Sequence, residues 1–203
     1  MIIQIPNLGP IENNAYIISI GNKAILIDAP PEPDKILQRL EENNLKLKYI
    51  LITHGHTDHI VSTVFLKNQT NAEILANEND IKMFQKPWNL LHLRAKPFTP
   101  DILLKDNEEI KLGNKNIISL KVIHTPGHSQ GSICFYQEKE KILFSGDTLF
   151  ASAIGRTDLP GGDQNQLIKS IKEKLFTLPL ETKVFPGHGP STTIKTEKEN
   201  FYF

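Results

Sequence analysis

The chain has 203 residues, 39% of them apolar, and its 23 Lys and Arg are balanced by 23 Asp and Glu. That length suits one domain with a real core, and the composition excludes a disordered chain. The balanced charge lacks the basic stripe of a nucleic-acid binder, and no apolar run approaches the roughly 20 residues of a membrane span, so neither partner is expected.

Residues 1–6 carry no charged region, long apolar core or small-residue cleavage site, and read as a first strand of a cytoplasmic protein. Apolar runs at 15–20 and 24–28 are joined by Gly21-Asn22, a hairpin signal. Pro33 and Asp34 open a helix that runs to Asn43, with Ile36, Leu37 and Leu40 on one face. Residues 48–53 form a strand of the kind buried on both faces, and 59–67 begin the next helix. Residues 86–100 hold three prolines, the only Trp and His92 without a clear period, and read as a loop over one face of the core. Ile118, Leu120 and Val122 alternate with Ser119, Lys121 and Ile123 as a strand, and 133–136 pairs with 141–145. Residues 163–176 are the clearest helix. Asp163 and Gln166 offer a capping box, and Leu167, Ile168, Ile171 and Leu175 share a face. A last strand at 183–185 precedes Pro186-Gly-His-Gly-Pro190 and a short helix. The single Cys134 cannot form an internal disulfide and reads as a buried, structural thiol.

The histidines fall at strand ends. His54, His56, Asp58 and His59 follow one strand, His128 follows the next, and Asp147 and His188 follow two more. Loops held by a rigid sheet are where functional groups concentrate. Five imidazoles and two carboxylates in glycine-rich loops are what a pair of divalent cations needs, since neutral nitrogens bind and carboxylates cancel charge and bridge. His124, at a strand end, is expected to make a structural hydrogen bond, and His92 has no partner near it in sequence.

The run Thr53-His-Gly-His-Thr-Asp-His59, followed in order by His128, Asp147 and His188, resembles the signature of the metallo-β-lactamase superfamily. Gly146-Asp-Thr-Leu-Phe150, Gly155-Arg-Thr-Asp158, Gly161-Gly-Asp163 and Pro186-Gly-His-Gly-Pro190 make the chain similar to the small glyoxalase II-like hydrolases. The resemblance implies an α+β fold, a four-layered αββα sandwich with the metals at one edge of two central sheets. It implies one domain over 1–203, without the C-terminal helical domain with which full glyoxalase II enzymes bind glutathione. His54, His56 and His128 would hold a first metal, Asp58, His59 and His188 a second, and Asp147 would bridge them. Zinc is the first choice, and iron and manganese suit the same donors. Where many relatives have a small Gly after the ligand run, this chain has Ile60-Val61-Ser62.

The implied reaction is hydrolysis of a thioester, with Asp58 as both ligand and catalytic group that orients water or takes its proton. Two divalent ions set against two carboxylates and a hydroxide leave about +1 at the mouth, which favours a small anionic thioester such as hydroxyacylglutathione. Arg156 is either a clamp for a substrate carboxylate or the partner of Asp158 in a salt bridge. The alternatives are an iron-dependent oxidoreductase similar to the persulfide dioxygenases, which share the ligand run, and a hydrolase of another ester or a lactone.

Overall fold

The computed structural model describes residues 1–89, 92–114 and 117–202. The first half of the chain lays down β1 (Ile2–Leu8), β2 (Asn13–Ile20), β3 (Lys23–Ile27), β4 (Lys46–Leu51), β5 (Glu73–Asn77) and β6 (Ile102–Leu104), which form one sheet in that order. The first three strands run antiparallel, and β3 through β6 are parallel. Parallel neighbours need crossovers. Helices α1 (Pro33–Glu42), α2 (Thr57–Ile60), α3 (Thr63–Thr70) and α4 (Ile81–Gln85) lie between these strands. The second half gives β7 (Glu109–Leu112), β8 (Ile118–His124), β9 (Ile133–Gln137), β10 (Ile142–Gly146), the short pair β11 (Leu149–Phe150) and β12 (Ala153–Ile154), α5 (Gln164–Glu173), β13 (Lys183–Pro186), β14 (Thr192–Thr193) and α6 (Ile194–Glu199). Its sheet has the order β14-β13-β10-β9-β8-β7.

The alternation of side chains along the strands decides the layers. In β2 and β3, Ala15, Ile17, Ala24 and Leu26 face a cluster shared with Ile36 and Leu40 of α1, Leu66 of α3 and Phe84 of α4. Their neighbours Tyr16, Ile18, Ile25 and Ile27 face the other way, against Leu120, Val122, Phe135 and Phe144 of the second sheet. The outer face of that sheet, with Cys134, Tyr136, Leu143 and Val184, packs on Leu167 and Ile171 of α5 and Ile194 of α6. Helix, sheet, sheet and helix are therefore stacked, giving the α+β, four-layered αββα arrangement. Cys134 is fully buried, as its strand position requires.

Several boundaries differ from the sequence expectation. The helix placed at 59–67 is two helices broken at Val61-Ser62, because the His59 carbonyl accepts from Ala29 N–H at 2.8 Å and Ser62 Oγ donates to Pro30 O at 2.6 Å. These contacts divert helical hydrogen-bonding groups to the 28–31 segment. The helix placed at 163–176 stops at Glu173 and continues as a 3-10 turn over Leu175–Thr177, where Leu175 and Phe176 stay buried. Half of its capping box forms. Asp163 Oδ1 accepts from Gln166 N–H at 2.9 Å, but Asp163 N–H donates to Gly127 O and Gln166 Oε1 accepts from Gln130. The strand at 183–185 is not the last, since β14 pairs with it.

Candidate metal centre

The loops leaving β4, β8, β10 and β13 converge on one edge of the sandwich, and all seven predicted donors meet there. His128 Nε2 lies 3.2 Å from His54 Nε2 and 2.8 Å from His56 Nδ1. His59 Nε2 lies 3.2 Å from His188 Nε2 and 3.3 Å from Asp58 Oδ2. Asp147 touches both trios, with Oδ1 3.3 Å from His59 Nε2 and Oδ2 3.6 Å from His128 Nε2. Among the described residues, His54–His56–His128, His54–His59–Asp147 and Asp58–His59–His188 each offer three donor atoms within 4.8 Å of one another.

The outer nitrogens of the rings show which way the lone pairs point. His59 Nδ1 meets Asp28 Oδ2 at 2.8 Å, His128 Nδ1 meets the Arg156 carbonyl at 2.7 Å, and His188 Nδ1 meets the Ile11 carbonyl at 2.9 Å. Each partner only accepts, so each Nδ1 carries the proton. His54 Nδ1 faces Thr53 Oγ1 at 3.0 Å, and that hydroxyl donates to Asp28 Oδ2 at 2.8 Å, so His54 also donates outward. Nε2 of His54 and Nε2 of His128 are left as bare acceptors 3.2 Å apart, whereas Nε2 of His59 and of His188 face the Asp58 and Asp147 carboxylates, which favour a second proton on each ring. Asp147 Oδ1 has no hydrogen-bond donor although it is buried. The first set of lone pairs repels itself until a cation sits within it, a cation would take the place of protons in the second, and imidazole with carboxylate suits divalent metals. The outward partners are the kind that orient metal-binding histidines.

The two trios sit in different fields. Burial, then the charges of His59, His128 and His56, holds His54 well below the usual imidazole range. Burial and the His128 charge push His56 down to about 3. Burial opposes charge on His59 as well, but Asp147, Asp58 and Asp28 outweigh it and raise that ring well above its ordinary value. His188, opposed by burial but bonded to Asp147 and Asp58, is raised to about 9. For Asp58 and Asp147 burial favours the neutral acid, and the surrounding histidines reverse this and hold both carboxyls well below the carboxylate range.

Gly187 fits the crowding. A Cβ there would lie 2.3 Å from Asp147 Oδ1 and 2.7 Å from the His59 ring, so no side chain is tolerated. A cavity of about 600 Å³ opens over the donors, walled by Ile11, Phe150, Leu159 and Pro190 and rimmed by Arg156. The Arg156 guanidinium is paired bidentately with Asp158 at 2.7 and 2.6 Å, and both side chains are mostly exposed. His124 Nε2 meets the Gln130 carbonyl at 2.9 Å, the structural bond expected of it, and His92 is exposed and outside the cluster.

Three residues of the site escaped the sequence reading. Asp28, at the end of β3 with φ of 59°, accepts from Thr53 N–H and Thr53 Oγ1 and fixes His59. A left-handed backbone at a residue other than Gly costs about 1 kcal/mol, and three convergent donors hold it there. Asp80 is buried and accepts from Gly55 N–H at 2.8 Å, Ser129 Oγ at 2.7 Å and Gly131 N–H at 2.7 Å, tying the first two donor loops together. Asn13 Nδ2 donates to Asp58 Oδ2 at 2.9 Å. The available signal was an acid closing the apolar run Ile25-Leu26-Ile27.

Known proteins show the same arrangement of chain. Residues 8–188 match the model of the metallo-beta-lactamase superfamily. The hydroxyacylglutathione hydrolase GloC of Haemophilus influenzae is 37% identical over 98% of this chain and 96% of its own length. The crystal structure of the B3 metallo-beta-lactamase BLEG-1 superposes with a TM-score of 0.88 at 35% identity, covering 98% of this chain and 97% of that one. TTHA1623, solved in a di-iron-bound form, superposes with a TM-score of 0.85 at 34% identity over 97% of this chain and 98% of its own. With the fold, the converging donors and these likenesses in agreement, the chain belongs to the metallo-beta-lactamase superfamily.

Proposed function

We propose that the protein is a two-metal hydrolase of small anionic thioesters, of the hydroxyacylglutathione type. The observation that carries this reading is the completeness of both donor trios, with Asp147 in reach of each. His54, His56 and His128 would hold one ion and Asp58, His59 and His188 the other, with Asp147 in reach of both. Zinc is the proposed metal; iron and manganese suit the same donors. Bound divalent ions supply a hydrolytic water active near neutral pH and a Lewis acid for the thioester carbonyl.

The chain's own residues do the rest. Asp58 is held ionised beside His59 and His188, so it accepts a hydrogen bond from the attacking water and orients it. Asn13 Nδ2 keeps that carboxylate in place. The apolar walls around Phe150 and Leu159 thin the water around the reacting carbonyl, and Arg156 offers a positive rim to an anionic substrate. The name of the Haemophilus relative supports the substrate class. A persulfide dioxygenase uses one iron and does not need the second trio, and His188, braced by Ile11, completes that trio here. No helix among the described residues is long and apolar enough to cross a membrane, in keeping with action on a dissolved substrate.

Metal analysis alongside turnover of S-lactoylglutathione, a simpler thioester, a lactone and glutathione persulfide tests the proposal. Metal-dependent release of thiol from the thioesters is expected. Oxygen uptake with the persulfide and no thioester cleavage would overturn it.

A further inference from the structure

A second cavity, of about 220 Å³, shares only His56 with the first and is otherwise lined by Lys82, Met83, Lys86, Trp88 and Pro160. It is built onto the ligand run. Gly55 packs so closely on α4 that a Cβ there would lie 2.6 Å from Met83 Cβ, and Thr57 Oγ1 donates to the Trp88 carbonyl. Lys82 and Lys86 lie one helical turn apart, where like charges repel each other. Neither appears in a salt bridge among the described residues. Beside them Trp88 leaves 53% of its surface exposed, presenting an apolar face with an N–H donor at its edge. His56 is 7% exposed, and its Nε2 has no partner, unlike the outer nitrogen of the other four rings. Two unpaired ammonium groups beside an indole make a place for an anionic group on an apolar stem.

We propose that this cleft binds the carboxylate-bearing end of the substrate's thiol half, with Lys82 and Lys86 on the carboxylate and Trp88 along the stem. The assignment rests on the thioester reading above. In that reading the acyl half is small and stays over the metals, so the thiol half is the part long enough to pass His56.

The test compares S-acetylglutathione with its diethyl ester on the wild type and on the Lys82→Gln/Lys86→Gln variant. Both lysines are exposed, so the fold is unaffected. The variant is expected to raise KM for S-acetylglutathione roughly fivefold, the scale of an exposed ion pair, with kcat held and the diester unaffected. Equal changes for both substrates, or none, would overturn the cleft assignment. Trp88 is the only Trp, so its fluorescence reports on the cleft without turnover. Titration with glutathione should perturb it in the wild type and more weakly in the variant, while glutathione diethyl ester should not. If the wild type cleaves neither thioester, the functional reading fails, and the fluorescence titration alone decides the cleft: no response to glutathione would overturn it.

Discussion

The trio of His54, His56 and His128 contains no acid, and burial keeps His54 and His56 neutral, whereas the trio of Asp58, His59 and His188 is ringed by carboxylates that favour protonated imidazoles. His54 and His56 in one trio and His59 and His188 in the other thus behave in opposite ways because of the groups around them. His54 and His56 are ready for a cation without giving up an added proton. In the second, protons stand where the cation would be and must leave when it binds. Asp147 belongs to both, and Asp28 supports the second through His59 while also reaching His54 through Thr53.

Removing the shared carboxylate should break the comparison most completely. Asp147→Asn is expected to lower thioester turnover by on the order of 10²–10³-fold, since a charged group is lost from a water-poor site, and to reduce metal content, read by elemental analysis of the purified variant. Full activity with both metals retained would contradict its bridging place. Asp28→Asn sharpens the comparison, because it leaves all seven donors intact. Metal affinity should fall by roughly 10–100-fold. Competition with a chelator should show the weaker of two binding steps affected first.

The opposed fields also predict a pH profile for the metal-free protein. His56 is depressed from 6.5 to about 3, so its contribution to stability is present above 6.5 and is lost as pH falls toward 3. His188 is raised to about 9, so its contribution is present below 6.5 and is lost as pH rises through 9. Thermal melts of chelated protein should therefore peak near pH 6.5 and fall on both sides. Saturating metal should flatten the alkaline limb, because the ion replaces the second trio's protons. The smallest effect belongs to the rim. Arg156→Gln should raise KM for an anionic thioester by only a few-fold, as expected of an exposed charge already committed to Asp158, with kcat unchanged.

How much of this was legible in the sequence depended on how local each feature is. His54 to His59 was readable because four donors fall within six residues, and His128, Asp147 and His188 because each directly follows an apolar strand. The layers came from the family resemblance that these motifs carry; the alternation read in the sequence lies at Ile118, Leu120 and Val122, and the runs at 15–20 and 24–28 were read only as apolar. Asp28 and Asp80 were not readable, since each acts through partners about 25 to 50 residues away and no local pattern marks a buried acceptor. The same holds for the break at Val61-Ser62, where the competing partners are Ala29 and Pro30. Likewise β5 and β6 were not read, and they extend the sheet one after the other, β5 on the edge of β4 and β6 on the edge of β5.

The central claim is that both trios hold metal and that hydrolysis needs them. Metal-free protein titrated with zinc, with bound metal and S-lactoylglutathione hydrolysis followed in the same samples, tests it most directly. The account predicts saturation at two ions per chain, with protons released mainly in the step that fills the Asp58–His59–His188 trio, and full turnover only once both are bound. Full turnover in the chelated protein, or saturation at a single ion, would contradict it.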